Sequence, residues 1–206
     1  VNIAAMSTEF SMISLMNAAL RAQGQDVLVS ENDGSLEWDT LFRNWPAIVE
    51  AEMEIGRYNF TKQETPSVTR INGRFGKTDG FLIPLDVLHV RRTRIKDSDG
   101  NLLDIDWLSD GSYVYLDHPG GDYLEGVWMD CAIVADQHLW SANFSRGVQL
   151  KLEAVIAKAI KEEAAEANNL EMQAEMHFER ARTLSSQERA PRPTFKKGGL
   201  SRARSR

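Results

Sequence analysis

The chain has 206 residues, 42% of them hydrophobic and 26% charged, with a formal net charge of −6. That length can bury one substantial core, or one core with a small second module, and the composition is that of a soluble globular body. No run approaches the roughly 18–20 apolar residues that a membrane span requires.

The opening VNIAAMSTEFSMISLMNAAL lacks a basic leader, and Glu9, Ser11, Ser14 and Asn17 interrupt its apolar residues. It reads as an amphipathic helix and not as a signal peptide. Phe10, Ile13, Met16 and Leu20 recur at helical spacing, and Gly24 is placed to end the segment. After the loop GQDVLVSENDG, Ser35 can cap a helix that turns Trp38, Leu41, Phe42 and Trp45 inward. Pro46 either kinks that helix or sits in the first turn of another, AIVEAEMEI, which Gly56 ends.

From Tyr58 to Ala135 the period changes from 3.6 to 2. FLIPLDVLHVRRTRI predicts a strand over about Val87–Ile95, with Pro84 suited to its start. LLDIDWL, SYVYLD and LEGVWMDCAIVA supply further short strands, separated by turn signals at Asp99-Gly100, Asp110-Gly111 and Pro119-Gly120-Gly121. Their spacing predicts a small antiparallel meander. Cys131 lies in the last of these runs and is the chain's single cysteine, which excludes an internal disulfide and any cysteine-based zinc site. It reads as a buried, inert thiol, compatible with synthesis in a reducing cytoplasm.

Helix then returns. Asp136 or Ser141 can cap it, and Phe144, Val148, Leu152, Val155, Ile156, Ala159 and Ile160 form one stripe. Helix-favouring residues continue to about Leu184. One unbroken helix would be ~60 Å long, so propensity argues for continuity and compactness for a turn near Glu166–Asn169; the sequence leaves both open. The expected fold class is α+β: a helical bundle (1–58 and 136–185) with a small antiparallel β module (59–135) inserted between helix 2 and the C-terminal helices. A basic tail (186–206) follows.

The tail holds seven cations. From Ser185 onward the charge is +6, which leaves about −12 for the rest of the chain. Its prolines and glycines exclude regular structure, and little beyond Phe195 and Leu200 could bury. By counterion release its natural partner is nucleic acid, but the acidic body opposes a phosphate backbone. Arg189, Arg192 and Phe195, separated by prolines, suit an acidic groove on another protein equally well.

Other candidate chemistry fails on spacing. NGRFGKTDG ends like a phosphate loop at Gly76-Lys77-Thr78, but Ile71 stands where a glycine is required and a strand follows instead of a helix. DSDGNLLDIDWL opens like a calcium loop with Asp97, Asp99 and Asn101, but Leu102 and Leu108 stand at its glycine and glutamate positions. His89, His118, His138 and His177 are scattered, and no serine occupies a nucleophile elbow. Trp38, Trp45, Trp107, Trp128 and Trp140 read as core anchors. The expectation is therefore a chain with no catalytic, metal or cofactor residues, and not an enzyme.

Specific segments resemble the tail tubular protein A family, the head-to-tail adaptors of short-tailed bacteriophages. GFLIPLDVLHVRRTRI is similar to that family's strand opening, and WPAIVEAEMEIGRYNF to a helix ending in aromatic-Asn-Phe before the β module. LDIDWLSDGSYVYLDHPG resembles its tryptophan strand and turn, ADQHLWSANFSRGVQLKLEAVIAKAI the helix that follows, and HFERARTLSSQE its closing Ala-Arg helix. The matched stretch runs from about Trp45 to Glu188, whereas the first ~40 residues and the tail match less well.

The resemblance implies a ring, commonly twelve-fold, fixed beneath the capsid portal protein with the tail nozzle protein attached below. Genomic DNA would pass through the central channel without sequence-specific binding. It further implies a structural virion protein of the phage neck, assembled in the host cytoplasm, with no membrane partner. On this reading the residues meeting the portal or a neighbouring subunit are Arg189, Arg192, Phe195, Lys196, Lys197, Arg202, Arg204 and Arg206. The alternative is a nucleic-acid-binding accessory protein that uses the basic C-terminal arm.

Overall fold

A computed structural model describes residues 11–96, 99–117 and 126–188. Among the described residues there are four α-helices and an inserted β module, an α+β fold with both sheets falling between the second and third helices in chain order.

α1 (Met12–Ala22) begins at a capping box in which Ser11 and Ser14 satisfy each other's backbone N–H groups, and Gly24 takes a left-handed φ of 69° just past its end. It buries Leu15, Met16, Ala19 and Leu20, whereas Phe10 of the expected stripe lies outside the described residues. α2 (Leu36–Gly56) starts at Ser35, whose hydroxyl accepts from the Trp38 N–H. Pro46 does not divide it: 21 residues run as one helix with the proline inside. Proline has no N–H to give to the preceding turn, but both flanking turns pack against the bundle and hold the axis together. Trp38 and Leu41 are buried as expected, while Phe42 is half-exposed and stacks flat on Trp38.

The described residues of the β module form eight strands in two antiparallel four-stranded sheets. β1 (Lys62–Ser67), β4 (Val87–Lys96), β5 (Leu102–Asp104) and β8 (Val127–Ile133) form one in the order β1-β8-β4-β5. β2 (Arg70–Asn72), β3 (Asp79–Leu82), β6 (Trp107–Ser109) and β7 (Tyr113–Leu116) form the other, in the order β2-β3-β7-β6. This corrects the expected meander. The LLDIDWL run breaks in two, so that β5 joins one sheet and β6 the other, and β8 returns to pair between β1 and β4. Phe81, Val114 and Leu116 from one sheet share a core with Val90, Ile95, Val127, Met129 and Cys131 from the other. Burying one face of each sheet in this way requires two layers, which a single meander does not provide. Asp99-Gly100 and Asp110-Gly111 make the turns between β4 and β5 and between β6 and β7; Pro119-Gly120-Gly121 lies outside the described residues.

Ser141, and not Asp136, caps α3 (Ala142–Ala159) by accepting from the Phe144 N–H. The C-terminal helical run is two helices, and the break falls earlier than the Glu166–Asn169 expected: α4 (Ala164–Gln187) already contains those residues. Glu162 takes a left-handed φ of 58°, and the Glu163 N–H returns 2.8 Å to the Ala157 carbonyl, so the chain turns back on itself at the end of α3. Lys161 bridges the corner by pairing with Glu163 at 3.1 Å and Glu166 at 3.3 Å. α4 folds back along α3 and buries Ala167, Leu170, Ala174, Phe178, Ala181 and Ser185, a single stripe at helical spacing.

Candidate functional site

The eight residues assigned to partner binding, Arg189, Arg192, Phe195, Lys196, Lys197, Arg202, Arg204 and Arg206, lie outside the described residues. What the structure does define is the point from which they depart. Near the end of α4 the Ser185 hydroxyl accepts from the Asn59 N–H at 2.7 Å, and its carbonyl accepts from the Asn59 amide at 2.6 Å. The same amide donates to Glu188 at 2.9 Å, while Lys62 donates to the Asn59 oxygen at 2.5 Å. Asn59 sits in the 3-10 turn Asn59–Thr61 that leads into β1, so one residue, through its backbone N–H and its side chain, ties the end of the bundle to the start of the β module. Sequence reasoning noticed the aromatic-Asn-Phe run but gave Asn59 no role. The available signal was an asparagine, rather than an apolar residue, between two aromatics.

A second tie lies deeper. Tyr58 donates to Glu52 at 2.5 Å, Arg182 donates to the same carboxylate at 2.5 Å, and Arg182 also holds Glu175. Burial pushes the Glu52 carboxyl above its ordinary range despite Tyr58 and Arg182, and burial with the Glu52 charge pushes the Tyr58 phenol upward. The network pins α2 to α4 around a nest of rings. Tyr58 stacks on Phe60, and both meet Phe144 edge-on at 4.9 and 5.2 Å. Trp140 also meets Phe144 edge-on at 4.8 Å and donates its indole N–H to the Ala135 carbonyl.

The loop resembling a phosphate cradle is the β2–β3 hairpin. Lys77 is committed to Asp106 at 2.8 Å and Asp117 at 3.3 Å, which hold its ammonium above the ordinary lysine range. Asp97 of the calcium-like run and His118 lie outside the described residues. His89 is exposed on β4, His138 lies in a 3-10 turn and His177 contacts Asn143 on α3. Among the described residues no three His, Cys, Asp or Glu side chains converge to hold a metal. Cys131 is buried and its thiol is pushed up to about 12 by burial and by the nearby Asp130, so thiolate chemistry is suppressed.

Two surface depressions lie near these elements. A cleft of about 660 Å³ lies between the end of α2 and the first sheet, lined by Glu54, Ile55, Arg57, His89, Arg92 and Asp130 among others. Its charges are mixed, and Arg92 already faces Asp104 and Asp130. A groove of about 470 Å³ runs beside the end of α4, next to Glu188, the last described residue. The surface also carries apolar side chains with no cover in the single chain. On α4, Met172 and Met176 point away from the buried stripe and are 67% and 53% exposed. No protein-family model matches this chain, and none of the curated proteins does.

Proposed function

We propose that this protein is a ring-forming head-to-tail adaptor of a short-tailed bacteriophage, joining the capsid portal to the tail nozzle around the DNA channel. The observation that carries the reading is the placement of the resembling segments in the fold. WPAIVEAEMEIGRYNF forms the second half of α2 and the turn into β1, and the closing HFERARTLSSQE forms the part of α4 that Asn59 fastens. A bundle interrupted by a β module between its second and third helices, with these segments at the junctions, is the architecture the resemblance implies. No catalysis belongs to this reading. Function lies in side-to-side contacts between copies that close a ring, for which the uncovered Met172 and Met176 are suitable.

The acidic body supports a channel that DNA traverses without adhering, since like charge weakens phosphate contact. The cationic arm then serves the portal or a neighbouring subunit. Its test is deletion of Pro191–Arg206, which should abolish attachment to portal-bearing capsids; undiminished attachment would contradict the arm's role. The seven cations also support the alternative of a nucleic-acid-binding accessory protein. Duplex DNA binding that is tight at low salt and collapses at moderate salt would favour that alternative, and negligible binding favours the adaptor.

A further inference from the structure

A regular strand sends neighbouring side chains to opposite faces, and β4 departs from that rule at one point. Val90 pairs with Cys131 of β8 and Arg92 with the adjoining Asp130, so Arg91 is one residue too many. Val90, Thr93 and Ile95 are buried, while Arg91 and Arg92 both line the cleft between α2 and the first sheet. The bulge thus brings two guanidinium groups to one place, where strict alternation would separate them. We infer that this cleft binds an acidic peptide segment of another protein, with carboxylates on Arg57, Arg91 and Arg92 and an apolar side chain on Ile55.

The charge around the cleft supports this ligand. Arg57 ends α2 at the cleft in a left-handed conformation, φ 52° and ψ 34°, a position that glycine fills without strain. Lys62 adds a fourth cation. Of the lining acids, Glu64 and Asp130 are both held by Arg94, at 2.8 and 2.5 Å. Four cations therefore stand against Glu54, the lining acid that Arg94 does not hold, in a chain of net charge −6. Thr61 steadies Arg91 by accepting from it at 3.3 Å. Arg92 lies 3.6 Å from Asp104 and 4.0 Å from Asp130, beyond hydrogen-bond reach, so its planar fork keeps donors for an incoming carboxylate.

The rest of the lining favours peptide over nucleic acid. Ile55 is 71% exposed and offers an apolar contact beside the cations. Glu54 and Glu64 oppose a phosphate backbone, which brings a charge at every nucleotide, whereas a peptide can set its carboxylates on the arginines alone. The volume of about 660 Å³ is ample for a few side chains. The inference goes beyond the adaptor reading and does not depend on it.

NMR tests it on the full 206-residue chain, with labelled arginine side chains and a blocked Glu-Glu-Leu-Glu-Glu peptide as probe. Saturable shifts are expected at Arg57, Arg91 and Arg92, and the Gln-Gln-Leu-Gln-Gln counterpart should cause none. Arg92→Gln should weaken binding, read at Arg57, about tenfold. Arg57→Gly, which suits the left-handed position and so keeps the fold, should weaken binding read at Arg92 to a similar degree. Wild-type affinity in both variants, or shifts confined to Arg189–Arg206, would overturn the inference. So would a single-stranded DNA of equal charge that saturates the cleft signals at lower concentration than the peptide, since the ligand would then be nucleic acid. Neither portal nor ring takes part, so failure here is distinct from failure of capsid attachment.

Discussion

The helical bundle and the β module are held by different forces. In the bundle, Tyr58, Phe60, Trp140, Phe144 and Phe178 meet one another as rings, and helix caps satisfy the free ends. Contact there is so close that a Cβ on Gly147 would lie 2.6 Å from the Phe178 ring. In the β module the core is small and largely aliphatic, and polar pairs between strands supply much of the definition. Arg70 grips the buried Asp79, Lys77 joins two aspartates, and Arg94 joins Glu64 to Asp130. The comparison teaches where each region is vulnerable. The bundle should fail on loss of volume, and the module on loss of a charge partner.

The largest effect should come from the bundle. Phe144 is fully buried under four other rings, so Phe144→Ala should cost about 3–5 kcal/mol, read as a lower denaturant midpoint. Within the module, Arg70→Ala leaves the Asp79 carboxylate, 1% exposed, without its guanidinium. Because Arg70 is itself partly exposed, a loss of about 2 kcal/mol is expected, below that for a fully buried pair. A loss equal to or greater than that of Phe144→Ala would reverse the comparison. At the junction, Asn59→Ala removes the side-chain amide's hydrogen bonds to the Ser185 carbonyl and to Glu188, while its backbone N–H still reaches the Ser185 hydroxyl, and should cost about 1–2 kcal/mol. Faster hydrogen exchange should be confined to the last turn of α4.

A finer distinction comes from pH. Burial holds the Glu52 carboxyl above its ordinary range, so the native chain keeps this proton to higher pH than the unfolded chain. The stabilising contribution is complete below the ordinary glutamate range and is lost as pH rises through the raised value. Wild-type stability relative to Glu52→Gln should therefore decrease across that window in denaturation curves taken at several pH values. An increase would mean that Arg182 and Tyr58 outweigh burial. The smallest effect should be Lys77→Ala, whose exposed aspartate partners rehydrate readily; the denaturant midpoint should barely move.

The same contrast explains what could be read in advance. Ser35, Ser141, the α1 stripe and the Phe144–Ile156 stripe announce themselves because a helix places its packing residues and caps within a few positions of one another. β4, β7 and β8 were legible for a similar reason, being short apolar alternations between turn signals. β1, β2 and β3 were not: KQETPS and RIN carry no apolar alternation, and their places depend on partners distant in sequence. The sequence left open whether α3 and α4 were one helix or two, because Glu162 takes the left-handed position that glycine usually marks. At the candidate site, charge disclosed the arm, but the groove beside it is assembled from Phe60, Leu139 and Leu184, which are far apart in the chain.

The adaptor reading is tested most directly by electron microscopy of the purified protein incubated with portal-bearing capsids of a short-tailed phage it serves. The account predicts a closed ring of about twelve copies beneath the portal, with the channel continuous through its centre. Capsids whose portals remain bare at saturating protein, or protein bound along free DNA with no ring at the portal, would contradict it.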